Sequence, residues 1–324
     1  MTTYKTIRGT HIKTVTTDPP APVNGQMWYN STTQVMKGFT SIPAGSWATT
    51  GSLNTARSNL AGSGSQTESL ATAGGTPGGF SALNESFNGS SWTEVGDINT
   101  ARQQLGGAGA ASTANLIFGG IKGGPALSAD TESWDGSSWT EVNNLNTARE
   151  AVGGTGINTA ALCVGGGAPS NTAATESWNG SSWTEVNDLN TARQGSSIGG
   201  TYTSAVATDG SPSGVTESWN GSSWTEIADL NTSRSGGSTG GSSNSDVYLA
   251  GGTPPISAQT EVWDGSSWTE VGDLNTARRS MNGVSVGTTS AGLSFGGNGP
   301  PGAGSTIAEK FTRPATSTVT FTAS

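Results

Sequence analysis

One cysteine, one histidine and four tyrosines among 324 residues leave little material for crosslinks, metal centres or radical chemistry. A single cysteine, Cys163, rules out an intrachain disulfide framework. Its place in the apolar run Ala160–Val164 marks it as a buried strand residue. His11 lies near the N-terminus, away from the serines and aspartates of the rest of the chain. A Ser-His-Asp triad or a zinc site needs partners that converge on the imidazole, and none is spaced to do so. Neither a catalytic nor a metal-binding residue is therefore expected, and no cofactor. Charged residues make up only 11% and sum to −9, with six of the nine arginines distributed one per repeat. Nucleic acid is thereby disfavoured as a partner, because a phosphate backbone needs a basic stripe. No apolar run reaches about 18 residues, the length that would suggest a membrane span. Residues 1–13 lack the apolar stretch of a signal peptide, so synthesis in a cytoplasm is expected.

What the chain has is glycine, 50 residues of it, and tryptophan at fixed intervals. A sentence of the form Thr-Glu-Ser-Trp-Asn-Gly-Ser-Ser-Trp-Thr-Glu-Val-Asn-Asp-Leu-Asn-Thr-Ala-Arg recurs. Its closing arginines are Arg57, Arg102, Arg149, Arg193, Arg234 and Arg278, at separations of 45, 47, 44, 41 and 44 residues. Ten positions earlier stand Trp47, Trp92, Trp139, Trp183, Trp224 and Trp268. Disorder has no use for periodic large aromatics. A period in the forties with β-type composition predicts a propeller with one blade per repeat. Each unit parses into four strands. After Arg102 these are Gln103–Ala110, Asn115–Phe118, Thr131–Trp134 and Trp139–Val142, with an Asp-Gly turn joining the last two. Such a turn between β-rich runs is a strong hairpin signal. A double glycine follows the second strand, at Gly74–Gly75, Gly119–Gly120, Gly165–Gly166, Gly251–Gly252 and Gly296–Gly297, and becomes Asp209–Gly210 in the fourth copy.

The fold class expected is all-β: a six-bladed propeller of four-stranded blades, with one blade shared between the N- and C-terminal segments. The last unit has its third strand at Glu309–Phe311 but Thr316 where the outer tryptophan belongs. The missing tryptophan is Trp47, so the segment around Ala44–Gly51 is expected to complete that blade and remove a free edge. The domains expected are an arm, residues 1–43, the propeller, residues 44–312, and a tail, residues 313–324. The arm holds a proline cluster and most of its ionisable residues are basic, unlike the acidic body.

Repeated chemistry reads as scaffolding. Glu132 and Glu141 face each other on a hairpin as a glycosidase pair would, but the pair recurs in successive copies. Repeated Glu and Arg residues such as Glu132, Glu176, Arg149 and Arg193 are expected to join blades; rings of charge that bind a ligand are the alternative. The Asp-Gly-Ser-Ser turns are one residue short of a sialidase Asp-box, and the Asn-Gly-Ser sequons read as turns. Variation is concentrated in the loops between second and third strands, which alternation puts on one face with the blade connections. Function is usually carried by such loops on a rigid scaffold. The candidate binding residues there are Phe80, Ile121, Lys122, Leu127, Pro254, Pro255, Pro300 and Pro301.

The unit resembles the kelch repeat in its double glycine, its third-strand aromatic (Trp134), its hairpin, Trp139 and the closing Arg149, over about residues 44–312. Trp or Phe stands where kelch has Tyr. Galactose oxidase, a kelch-type propeller enzyme, needs tyrosines, histidines and a cysteine crosslink that this composition does not supply. Near-identical copies of this kind also resemble kelch-like proteins encoded by marine bacteriophages. The segment Pro22-Val-Asn-Gly-Gln-Met-Trp-Tyr-Asn-Ser-Thr-Thr33 is similar to a β-motif near the start of phage tail-fibre and other virion proteins. These resemblances imply a non-enzymatic virion protein, made in the host cytoplasm and present in several copies. It would dock onto other virion proteins through the arm, at Met27, Trp28 and Tyr29, and meet a host-surface glycan or protein with the propeller. The alternatives are a capsid-decoration or tail-channel protein that touches only virion proteins, and a propeller glycan hydrolase or oxidase.

Overall fold

The turn Asp135–Ser138 shows how each repeat folds. The Asp135 carboxylate accepts the amides of Ser137 and Ser138, both at 2.8 Å. Gly136 takes the left-handed backbone (φ 97°) that glycine adopts without steric cost. The chain so reversed sets Trp134 directly opposite Trp139, with ring centroids 5.3 Å apart. The same turn forms at Asn88, Asn179, Asn220 and Asp264. This side-chain acceptor makes Asn and Asp interchangeable between copies.

The computed structural model describes residues 12–19, 26–39, 45–124, 126–167, 169–211, 214–281, 287–300, 302, 304–313 and 318–321. Among these there are strands and turns and no helix. The chain divides into two compact units, residues 44–312 and residues 1–43 with 313–324.

The larger unit is a six-bladed β-propeller. Five blades are four-stranded antiparallel sheets in simple up-and-down order, with inner strands Ala61–Gly64, Gly106–Ala111, Gly153–Ile157, Ser197–Thr201 and Ser238–Ser243. We number these blades one to five. Small residues suit the axis. A methyl group added at Gly154 would sit 2.7 Å from the backbone oxygen of Gly107 in the neighbouring inner strand.

Blade six is assembled from both ends of the repeat region. Strand Ala291–Phe295 pairs with Ala308–Thr312, which pairs in turn with Ser46–Thr49 in a register that puts Phe311 against Trp47 at 5.1 Å. The other five blades place Trp against Phe or Trp in the same way, at 4.8–5.5 Å. Thr316 lies outside the described residues. The ring closes on both sides of this blade: Gly287 donates to Gly64 of blade one and accepts from Gly241 of blade five.

Apolar cores lie between blades. Leu116, Phe118, Cys163 and Trp183, for example, fill the space between blades two and three. The cluster around Trp47, Tyr248, Phe295 and Phe311 spans blades five, six and one.

The turn after the second strand departs from the expected register in blade one. In every blade its first residue has positive φ: Ala73 (60°), Gly119 (67°), Gly165 (61°), Asp209 (55°), Gly251 (73°) and Gly296 (65°). The equivalent of Gly119–Gly120 is thus Ala73–Gly74, and Gly75 instead bridges to Ser58. The amide of the second residue donates to the repeat arginine's carbonyl, as Gly74 to Arg102 and Gly120 to Arg149.

In the smaller unit, Lys13–Val15 runs parallel to Met27–Asn30, which pairs antiparallel with Val35–Phe39. Thr318–Phe321 adds to the last of these, so the segment 313–324 is not a detached tail but supplies the fourth strand of the arm's sheet. Asp18 organises this unit, accepting from Trp28 Nε1 (3.0 Å), Asn30 Nδ2 (2.8 Å) and Lys37 Nζ (2.5 Å). The bond from Lys37, followed by those from Asn30 and Trp28, holds the Asp18 carboxyl down at about 2.

Candidate functional site

The repeat arginines and the third-strand glutamates hold the blades together, whereas the fourth-strand glutamates such as Glu141 are exposed. Each repeat arginine is at most 1% exposed and pairs with a third-strand glutamate. The six pairs are Arg57–Glu85, Arg102–Glu132, Arg149–Glu176, Arg193–Glu217, Arg234–Glu261 and Arg278–Glu309, at 2.5–3.1 Å. The other oxygen of each glutamate accepts two bonds from the asparagine of the Leu-Asn-Thr segment. Asn146, for instance, donates its amide and its Nδ2 to Glu176, both at 2.8 Å, and Nδ2 also reaches the Trp183 carbonyl. The connection leaving one blade is thereby clamped onto the next. Burial lowers the pKa of Arg57, Arg102, Arg193 and Arg278, and the paired carboxylates oppose that shift. The repeat tryptophans are also internal: Trp47, Trp92, Trp139, Trp183, Trp224 and Trp268 are all buried.

The remaining titratable groups include an inert thiol. Burial pushes Cys163 up to about 12, so it carries no thiolate. Asp209 replaces a turn glycine in blade four and is fully enclosed. Its carboxyl is raised to about 8, mainly by burial, although Ser197 donates its amide to it at 2.9 Å. Among the described residues no group of three or more His, Cys, Asp or Glu side chains is placed to hold a metal ion. His11 lies outside the described residues.

The variable-loop residues are distributed over four blades. Phe80 belongs to a small hairpin, Gly75–Thr76 with Gly79–Phe80, and is half-buried. Ile121, Lys122 and Leu127 belong to its counterpart, Ile121–Lys122 with Ala126–Leu127, and Lys122 forms an ion pair with Asp130. Pro254 and Pro255 are exposed and border a cavity of about 340 Å³ over blade five with Arg234 and Gln259. Pro300 is exposed in blade six, and Pro301 lies outside the described residues. Of these loops, the cavity over blade five takes in only the one at Pro254 and Pro255.

Of the arm residues, Trp28 is 1% exposed and bonded to Asp18, so it builds the arm's own sheet and presents no docking surface. Met27 is half-buried, whereas Tyr29 is exposed.

The axis has a mouth on each face. On the face of the blade connections, the residue two positions after each repeat arginine is left-handed: Asn59, Gln104, Ala151, Gly195, Gly236 and Ser280. Backbone bonds run round this ring, from Gln104 to Asn59, Ala151 to Gln104, Gly195 to Ala151 and Asn59 to Ser280. The mouth inside, about 250 Å³, is lined by polar side chains that include Gln104, Glu150, Gln194 and Arg279. On the opposite face the inner hairpins of all six blades surround a depression of about 470 Å³. Among the described residues no charged side chain lines it. Its rim carries Ile157 and Tyr202, which are 41% and 42% exposed, on neighbouring blades.

Among the described residues, none of the variable-loop candidates lines either mouth. The signal available was substitution at fixed length: the residue after the invariant arginine varies as Ser58, Gln103, Glu150, Gln194, Ser235 and Arg279.

No protein-family model matches this chain, and no curated protein matches it in sequence. Among solved structures it is similar to that of YjhT, with a TM-score of 0.65 over 82% of this chain and 99% of that one. At 14% identity this likeness concerns the fold, a β-propeller.

Proposed function

We propose that this chain is a non-enzymatic bacteriophage virion protein whose propeller serves as a rigid recognition or assembly module at the tail. The observation that carries the reading is the engagement of all six repeat Arg–Glu pairs in blade-to-blade clamps. A glycosidase-type carboxylate pair would need free, solvent-reachable oxygens. Each third-strand glutamate is instead at most 2% exposed and bonded through both oxygens. What differs from blade to blade is at the loops and mouths, as in a scaffold that displays a binding surface. The kelch-like repeat and the virion-like segment around Met27–Tyr29 support a phage origin. Docking through the arm then falls to surfaces around Tyr29. Partners are other virion proteins and a host-surface glycan or protein.

The test is the composition and infectivity of purified particles. The protein should be present in several copies per particle. Exchange of the 121–129 and 298–307 loops for Gly-Ser loops should leave assembly intact and change host adsorption. Absence from particles would overturn the reading. Presence with unchanged adsorption would favour the capsid-decoration or tail-channel alternative.

A further inference from the structure

We infer that the uncharged axial mouth on the hairpin face binds a neutral saccharide, with Tyr202 as its stacking platform. The inference deepens the recognition reading by naming a site and a ligand class. Four large hydrophobic side chains are exposed among the described residues, and the only two in the propeller, Ile157 and Tyr202, lie on the rim of this mouth. The other copies put small or polar residues at the equivalent turns: Ala111 and Ser112 in blade two, Ser243 and Asn244 in blade five. These two apolar residues are therefore not required by the repeat.

The rim is held in place. Trp178 Nε1 donates to the Asn158 carbonyl at 3.0 Å and Trp219 Nε1 to the Tyr202 carbonyl at 3.1 Å, which fixes the two turns. Thr155 Oγ1 ties the two inner strands together by donating to the Gly200 carbonyl at 2.6 Å. A preorganised rim reduces the ordering cost of binding.

The chemistry of the lining selects the ligand. An exposed phenol ring and an isoleucine present a surface for the C–H face of a pyranose, in the way rigid aromatics anchor ligands at low entropic cost. Hydroxyls of Ser65, Thr201, Thr203 and Thr288 stand around it. That of Thr203 has no hydrogen-bond partner among the described residues. Hydroxyls donate and accept, as sugar hydroxyls do. With no lysine or arginine at the mouth among the described residues, and a net charge of −9, an anionic sugar finds no counter-charge. About 470 Å³ is within the range of small-molecule sites.

The test is titration of the full-length protein with lactose, cellotriose, maltotriose, N,N′-diacetylchitobiose and one sialylated trisaccharide, followed by ligand-observed NMR and calorimetry. At least one neutral saccharide should bind, with Kd near about 1 mM or tighter, and Tyr202→Ala should weaken it about tenfold or more. Ile157→Thr should weaken it by a smaller factor. Because both side chains are exposed, the variants should melt with the wild type. Three results would each overturn the inference: no neutral saccharide binds, Tyr202→Ala binds like the wild type, or Phe80→Ala abolishes binding while Tyr202→Ala does not. Preference for the sialylated ligand alone would also overturn it. The virion reading depends on particle composition and is untouched by any of these outcomes.

Discussion

Removal of one carboxylate from the clamp series should destabilise the propeller far more than a surface charge change does. Glu176 is the case to take, being 2% exposed. Its Oε1 accepts from Arg149 at 2.7 Å and its Oε2 accepts the amide and the Nδ2 of Asn146. Glu176→Ala leaves the guanidinium of Arg149, itself 0% exposed, with only the carbonyls of Gly165 and Ala174. Breaking a buried pair by deleting one partner costs about 3–5 kcal/mol. The Asn146 donors left without an acceptor push the loss toward the upper end. Glu176→Gln should rescue little, because either orientation of the amide points a donor at Arg149 or at Asn146. The paired replacement Arg149→Met with Glu176→Leu should recover part of the loss, since it removes the uncompensated charge. Urea unfolding followed by tryptophan fluorescence reads these three variants, and the singles Arg149→Met and Glu176→Leu, against the wild type. Wild-type stability in Glu176→Gln, or a double variant whose loss equals the sum of the singles, would refute the clamp.

Trp139→Ala should cost about 3–5 kcal/mol by the same assay, as deletion of a buried large aromatic does; a loss under about 1 kcal/mol would contradict its place between blades one and two. Asp209→Asn should flatten the pH dependence of stability. The folded pKa near 8 lies above the unfolded 3.8, so the stability contributed by the protonated carboxyl is complete below about pH 4 and lost as pH rises through about 8. Unfolding midpoints of the two proteins at pH 4.5 and 9 check the sign. Gly166→Ala, where φ is 109° and the new methyl would lie 2.6 Å from the Glu150 carbonyl, should cost about 1–3 kcal/mol in the melting curve.

The ring and its seam were legible because propeller closure acts through large side chains at a fixed period. Trp47 and Phe311, 264 residues apart in the chain, carry the same cross-strand pairing as Trp134 and Trp139. Backbone register was less legible: nothing in the string Ala73-Gly74-Gly75 says that alanine accepts the left-handed position. The fourth strand of the arm's sheet was missed because Thr318–Phe321 is short and pairs with a segment at the other end of the chain. Trp28 looked like a docking residue because its partner Asp18 lies ten residues earlier, across a proline cluster. The axial mouths were invisible for a geometric reason. Inner-hairpin residues from six blades meet only once the ring is built, and a length-preserving change such as Tyr202 looks unremarkable inside a repeat.

Blade sharing is tested most directly by the melting of two truncations, residues 44–312 and residues 52–312, followed by circular dichroism. The shorter chain loses the Ser46–Thr49 strand, strips Trp47 from its core cluster and leaves the Ala308–Thr312 strand as an open edge. The 44–312 chain should melt cooperatively, and the 52–312 chain should melt about 10 °C or more lower, or aggregate, given the loss of a buried tryptophan and a full strand ladder. Equal melting of the two would contradict the closed, shared-blade ring.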